Sequence, residues 1–112
     1  MKYTKVQDVP GKPNPHGVSV KSIYDHPEAV AIHILLKPGE SLKKHITPVD
    51  VFFYVLEGEG DVEIGDETVH VIKDTIVESP KGIPHRLLNN GGGDFRFLVV
   101  KTPRPEGKAT LL

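Results

Sequence analysis

Two histidines in this chain, His45 and His85, stand in surroundings that suit binding chemistry. His45 lies between a Pro-Gly turn signal at 38–39 and the apolar run 51–56, and His85 follows the turn signal Pro-Lys-Gly at 80–82. Imidazole binds divalent metals in its neutral form and exchanges protons near neutral pH. Side chains at the junction of a turn and a strand are well placed to bind ligands on a β scaffold. A shared site therefore requires a fold that brings these two distant segments together.

Composition narrows the class of protein. A chain of 112 residues is the size of one domain with a core of its own. The absence of cysteine excludes disulfides, zinc-thiolate sites and thiol chemistry. A formal net charge of -1 gives no electrostatic footprint for nucleic acid or an anionic membrane. No apolar run approaches the roughly 20 residues that span a bilayer, and the first residues lack a secretory apolar region. We expect a soluble, cytoplasmic protein.

Strand-like segments recur along the chain and are separated by turn residues. Eleven glycines and ten prolines are spread through the sequence, and no helical periodicity of any length is present. The segments with strand-like patterns are 18–23, 29–36, 45–47, 51–56, 61–64, 68–72, 76–78, 85–88 and 95–100. This number of short strands predicts an all-β sandwich or barrel. We predict an extended N-terminal arm over 1–17, a β-barrel domain over 18–102 and a C-terminal tail over 103–112.

Strand alternation predicts which side chains share a face. His45 and Thr47 are two residues apart, as are His85 and Leu87, with Asn89 next on the same face. If the two segments lie side by side, both imidazoles point into the mouth of the barrel, where small barrels carry ligands. We predict a ligand-binding site formed by His45, Thr47, His85 and Phe53. His70 alternates against two valines and is expected on the outer face of a hairpin.

From about residue 30 to residue 100 the chain resembles the cupin family. In the first signature stretch of that family Gly39, His45 and Gly58 fall in register, and in the second Pro80, Gly82, His85 and Asn89 match. Asp74 stands where the second stretch usually has a glycine. The resemblance implies a cupin-type double-stranded β-helix, which is a jelly-roll barrel.

The departures from the family pattern concern the metal. Cupins usually hold a metal through two histidines and a glutamate of the first stretch and one histidine of the second. In this chain Thr47 and Val51 occupy the second histidine and glutamate positions, so His45 and His85 remain. The resemblance thus implies a divalent zinc, iron, manganese or nickel ion that is weakly held or absent.

Two further residues are candidates to complete a metal site. Asp50 lies beside the vacant carboxylate position and would turn inward if a bulge began the strand. His33 could point into the barrel from a neighbouring strand, although a position at the sheet surface or a subunit interface is the simpler expectation. The other histidines, His16 in the arm and His26 in a turn, are expected to be solvated loop residues.

Three functions remain open from the sequence. The first is a small barrel that binds a small molecule at His45 and His85, with or without a weakly held metal. The second is a metal-dependent enzyme of the dioxygenase or isomerase type, and no catalytic residue is assigned. The third is a non-catalytic sensing or assembly module with a decayed site, which a barrel mouth filled by Phe53, Val55 and Leu87 would favour.

The expected partners are an unidentified small molecule and a second copy of the chain, with no nucleic acid or membrane. The apolar segment Ala29–Leu36 needs cover on both faces, which a barrel of this size supplies only on the inside. A homodimer follows as the prediction.

Overall fold

The computed structural model describes residues 1–107 and 109–112, which form two five-stranded sheets facing each other. The strands are β1 (Ser19–His26), β2 (Ala29–Leu36), β3 (His45–Ile46), β4 (Asp50–Glu57), β5 (Glu59–Ile64), β6 (Glu67–Ile72), β7 (Ile76–Ser79), β8 (His85–Leu88), β9 (Phe95–Thr102) and β10 (Thr110–Leu111). A 3-10 turn covers Val6–Asp8. The predicted all-β fold class is confirmed. No helix among these described residues is long and apolar enough to cross a bilayer.

The strand order explains how distant segments meet. One sheet has the order β1-β2-β9-β4-β7 and the other β10-β3-β8-β5-β6, and the pairings are antiparallel. Successive strands of the chain repeatedly change sheet, which is the connectivity of a jelly roll. As a result β3 and β8, which lie about forty residues apart in sequence, are neighbours in one sheet.

The core lies between the sheets and follows strand alternation. On β9 the side chains of Phe95, Phe97 and Val99 are buried, and the residues between them are only partly covered. On β4 the inward set includes Phe53 and Val55. Each large apolar side chain contributes about 1.5–3 kcal/mol when it is fully buried. This core fixes the register of the strands that carry the histidines.

The corner between β4 and β5 depends on glycine. Gly58 has a φ of 79°, and a Cβ at this position would overlap the backbone of Asp94. A Cβ at Gly60 would overlap the ring of Phe95. The sharp corner predicted at this stretch is therefore present, and glycine is required by close backbone and side-chain approach as well as by φ.

The two ends of the chain pack next to β3. In the N-terminal arm the Lys12 N–H donates to the Val20 carbonyl at 2.9 Å, and the Lys43 N–H donates to Nδ1 of His16 at 2.8 Å. At the other end β10, which lies within the segment predicted as a tail, pairs with β3 and extends its sheet. Both ends thus become walls of the region around His45.

Candidate functional site

His45 and His85 face each other directly across β3 and β8. Their Cα positions are register partners, their ring centroids are 4.5 Å apart and their Nε2 atoms are 3.1 Å apart. Both side chains are buried, with His85 only 2% exposed. Side chains at directly opposed positions of antiparallel strands lie on the same face and in contact. The structure therefore brings together the two histidines that the turn signals singled out.

The hydrogen bonds of the pair form a directed chain. Nδ1 of His45 lies 2.8 Å from the Lys43 carbonyl, which can only accept, so this nitrogen carries the proton. Nδ1 of His85 lies 2.7 Å from Oγ of Ser79. We assign the Ser79 hydroxyl as donor to Nδ1 of His85, and Nε2–H of His85 as donor to Nε2 of His45. Every ring nitrogen of the pair then has a partner.

Burial keeps both imidazoles neutral near pH 7. Burial, and then the nearby His45 and Lys101, lower the pKa of His85 to about 4. Burial is also the main cause that lowers the pKa of His45, while the bond to the Lys43 carbonyl acts in the opposite direction. At neutral pH the pair is therefore an uncharged, hydrogen-bonded unit.

Thr47 and Val51 occupy the inward positions that the resemblance assigned to metal ligands. Thr47 is 2% exposed and its Oγ1 lies 3.2 Å from Nε2 of His85. Val51 belongs to the apolar core. The alternation predicted for these residues is therefore present, but neither supplies the imidazole or carboxylate of the family pattern.

The two additional metal candidates lie away from the pair. The Asp50 carboxylate is exposed and accepts a hydrogen bond from the Lys81 N–H at 2.9 Å. No bulge turns it inward, because the irregularity in the pairing of β4 with β9 lies after Val55. His33 lies on the outer face of β2, opposite to the core residue Ile34, and its Nε2 accepts from Nε–H of Arg96 at 3.1 Å. His33 therefore faces away from the core, as the simpler expectation had it, but it is only 3% exposed and its Nδ1 has no hydrogen-bond partner among the described residues, so it is covered rather than solvent-exposed.

His45 and His85 together could supply only two ligands to a metal ion. Two imidazoles bound to one ion at about 2.1 Å, with an angle near 90–110°, have nitrogens roughly 3.0–3.4 Å apart. The observed 3.1 Å fits two such positions. Over residues 1–107 and 109–112 no group of three or more His, Cys, Asp or Glu side chains could hold an ion. The residues present therefore do not make the three-ligand set usual for a catalytic metal.

A cavity of about 630 Å³ opens beside His45. Its apolar wall comes from the barrel and includes Ile32, Phe53 and Val99, and the N-terminal arm and the C-terminal segment form its other sides. Of the predicted ligand-binding residues, His45 and Phe53 line the cavity, whereas Thr47 and His85 lie behind His45 and contact its ring or each other.

The barrel mouth is not closed by the three apolar side chains considered from the sequence. Phe53, Val55 and Leu87 are each almost completely buried in the core. The cavity remains beside them, and Phe53 forms part of its wall.

Among the cavity residues that the sequence prediction missed, two carry ionisable groups close to His45. His16 lines the cavity and is only partly exposed: its ring centroid lies 5.2 Å from that of His45, and burial followed by the nearby His45 lowers its pKa to about 4. The arm folds back over the barrel, which spacing along the chain does not reveal. Lys101 also lines the cavity. Its signal was present, because it continues the inward alternation of Phe97 and Val99.

Known proteins share this fold. The family model for the cupin domain matches residues 32–101. This chain belongs to the cupin family. Among solved structures, this cupin is similar to the polyketide cyclase RemF from Streptomyces resistomycificus, with a TM-score of 0.86, 22% identity and coverage of 100% of this chain and 85% of that one. It is also similar to TT1209 from Thermus thermophilus, with a TM-score of 0.81, 26% identity and coverage of 94% and 100%. The double-stranded β-helix is confirmed.

Curated relatives match over part of their length. The tetracenomycin polyketide synthase protein TcmJ of Streptomyces glaucescens is 35% identical over 78 residues, which cover 66% of this chain and 52% of that protein. The polyketide synthase CurC of Streptomyces cyaneus is 30% identical over 70 residues, which cover 62% of this cupin and 46% of that protein. The cupin thus spans about half the length of these two relatives.

Proposed function

We propose that this cupin binds a small, largely apolar molecule in the cavity beside His45. The observation that supports the proposal is the cavity itself, about 630 Å³ in volume and walled by Ile32, Phe53 and Val99. Small-molecule sites typically enclose about 300–1,000 Å³, with mainly apolar walls and a few polar groups that fix orientation. Here the arm and the C-terminal segment cover an apolar space that the barrel alone would leave open.

His45 is the polar group that would orient the ligand from the barrel wall. Its Nδ1 is fixed by the Lys43 carbonyl, and its ring is supported from behind by His85. Because the ring nitrogens of the pair bond within the protein, a ligand hydroxyl would donate to Nε2 of His45 in place of Nε2–H of His85, which can turn to Oγ1 of Thr47 at 3.2 Å. The same lone pair on Nε2 of His45 could accept a proton in general base chemistry, so binding is the function proposed and catalysis is not assigned.

The names of the curated relatives support a carbon-rich ligand. TcmJ and CurC are both named as polyketide synthase proteins. An apolar wall suits such a molecule better than a very small, strongly hydrated one, because desolvation of the wall supplies the favourable free energy. The ligand class proposed here is therefore a small cyclic or aromatic compound.

The second candidate function is that of a metal-dependent cupin enzyme. The observation that favours it is the 3.1 Å separation between the Nε2 atoms of His45 and His85, which suits two ligands of one ion. It ranks second because Thr47 and Val51 supply no further strong ligand and Asp50 faces solvent. A zinc, iron, manganese or nickel ion would then depend on the bound molecule to complete its shell.

Titration of 2-naphthamide into the protein, followed by amide chemical shifts, tests the proposal. After dialysis against EDTA we expect saturable shifts at Ile32, His45 and Val99. A dissociation constant below about 1 mM is expected, which corresponds to roughly 0.3 kcal/mol for each heavy atom of the probe.

Adding ZnCl₂ in the same experiment separates the two candidates. Unchanged affinity supports metal-independent binding. Binding that occurs only with zinc, and is lost in the double variant His45→Ala/His85→Ala, supports the metal site that the second candidate requires. The absence of saturable shifts under both conditions, at several millimolar probe, contradicts both candidates.

A further inference from the structure

The titratable side chains on the cavity wall are all basic or neutral. They are Lys12 and His16 from the arm, and His45 and Lys101 from the barrel. Of the lining residues that the structure describes, none is an aspartate or glutamate. Composition does not explain the lack of acidic residues in this lining, since the chain has 15 acidic and 14 basic residues. The cavity therefore has a positive wall in a protein with a slightly negative net charge.

Strand register places Lys101 in the cavity. Along β9 the inward side chains are Phe95, Phe97 and Val99, and Lys101 follows two residues later on the same face. Its cross-strand neighbours are Val30 on β2 and Val51 on β4, which are both buried. The Lys101 side chain thus leaves the sheet at an inward position. Its direction is set by the register of β9 and not by the conformation of a surface loop.

The ammonium group of Lys101 has no partner within the described part of the chain. No hydrogen bond or ion pair forms there between its Nζ and a side chain or carbonyl of residues 1–107 or 109–112. Burial, and then the nearby Lys12, lower the pKa of Lys101. Removing a cation from water without a counter-charge is unfavourable, and a second cation nearby adds repulsion. Nζ of Lys101 is not among the fully buried unpaired atoms of the described residues, so it keeps contact with solvent in the cavity, where an anion could replace water.

We infer that the cavity takes an amphipathic anion, with an apolar ring system against Ile32, Phe53 and Val99 and a carboxylate or phenolate beside Lys101. The inference rests on the proposed binding function and adds the charge of the ligand to it. Lys12 completes the cationic surface from the arm. The arm therefore supplies charge to the acid group as well as cover to the apolar body.

Matched probes test the inference. Binding of 2-naphthoate and of its neutral isostere 2-naphthamide is measured by calorimetry with wild-type protein, Lys101→Gln, Lys101→Arg and a control, Lys37→Gln, at an exposed turn. We expect wild type to bind the carboxylate at least roughly tenfold more tightly than the amide, which is the typical value of one charge-assisted hydrogen bond. Lys101→Gln should lose this preference, and the affinity for the amide should change less than about twofold.

The control variants distinguish the loss of the Lys101 charge from a loss of folded structure. Lys101→Arg should retain the preference for the carboxylate, and Lys37→Gln should behave as wild type. Circular dichroism of Lys101→Gln, together with its retained amide binding, shows that the barrel is intact. Equal affinity of wild type for the two probes overturns the anion inference and leaves small-molecule binding standing. Failure of both probes to bind at millimolar concentration overturns the inference and the proposed function together.

Discussion

The histidine pair shows how single residues determine the chemistry of this site. His45 and His85 meet because their Cα positions are directly opposed, and the hydrogen bonds to Lys43 and Ser79 use their remaining nitrogens. The substitution of the family's ligands by Thr47 and Val51 leaves this geometry in place but removes the donors that would hold a metal. The pair is thus a neutral hydrogen-bonding unit at the wall of a cavity.

At the residue scale, the buried imidazoles make the protein sensitive to acid. The pKa of His85 is lowered from 6.5 to about 4, so between these values the unfolded chain binds a proton that the folded protein excludes. Stability is therefore present at pH 7 and falls as pH drops from about 6.5 towards 4. For His85 the loss at pH 5 is about 2 kcal/mol. Urea unfolding at pH 7 and pH 5 should show that His85→Gln loses less stability than wild type, by about this amount.

The control for this titration is Thr68→Gln, in which an exposed, non-titrating side chain of β6 is replaced. It should lose the same stability as wild type over this pH interval. An identical pH dependence of wild type and His85→Gln would contradict the assignment of a buried neutral imidazole.

The strands and the corner were predictable from the sequence, whereas the segments that cover the site were not. Turn glycines and alternation predicted the strands, the corner at Gly58 and the inward orientation of His45 and His85, because these depend on local backbone geometry. The cover of the site was not predictable in the same way. His16 reaches the cavity through a bond to the Lys43 N–H, and β10 joins the sheet beside β3, so both depend on long-range contacts that leave no periodic signal.

At the element scale, two glycines allow two destabilising effects of a Gly→Ala substitution to be measured separately. One effect is the strain of a positive φ, and the other is the steric overlap of the added Cβ with another segment. Gly58 and Gly82 have φ values of 79° and 80°, but only at Gly58 would a Cβ overlap another segment. Gly82→Ala should lower the free energy of unfolding by about 1–2 kcal/mol. Gly58→Ala should lower it by at least about 3 kcal/mol, because the backbone near Asp94 must also move. Chemical denaturation of both variants measures the difference, and equal losses would contradict the role given to the overlap.

At the scale of the whole molecule, the outer face of the sheet that contains β2 and β9 is where we expect a second copy. Ala31, Leu35, Phe52, Leu98 and Val100 lie on this face and are only partly covered within one chain. Apolar surface of this kind is stabilised when another subunit removes it from water. Light scattering after size exclusion should give a mass near twice 12.3 kDa at micromolar concentration.

Two charged variants test that surface. Leu98→Lys should shift the equilibrium towards monomer, whereas Val69→Lys, at an exposed position of β6 in the other sheet, should leave the dimer unchanged. A monomeric wild-type protein at micromolar concentration would contradict the prediction.

We propose that a small molecule binds in the cavity covered by the arm. A substitution that fills this cavity with a larger side chain tests the proposal most directly. Ile32→Trp places a larger side chain on the cavity wall, and Val69→Trp makes the same kind of change at an exposed strand position outside it. With folding checked by circular dichroism, titration of 2-naphthamide should show at least roughly tenfold weaker binding to Ile32→Trp and wild-type affinity for Val69→Trp. Equal affinity of Ile32→Trp and wild type would contradict the claim.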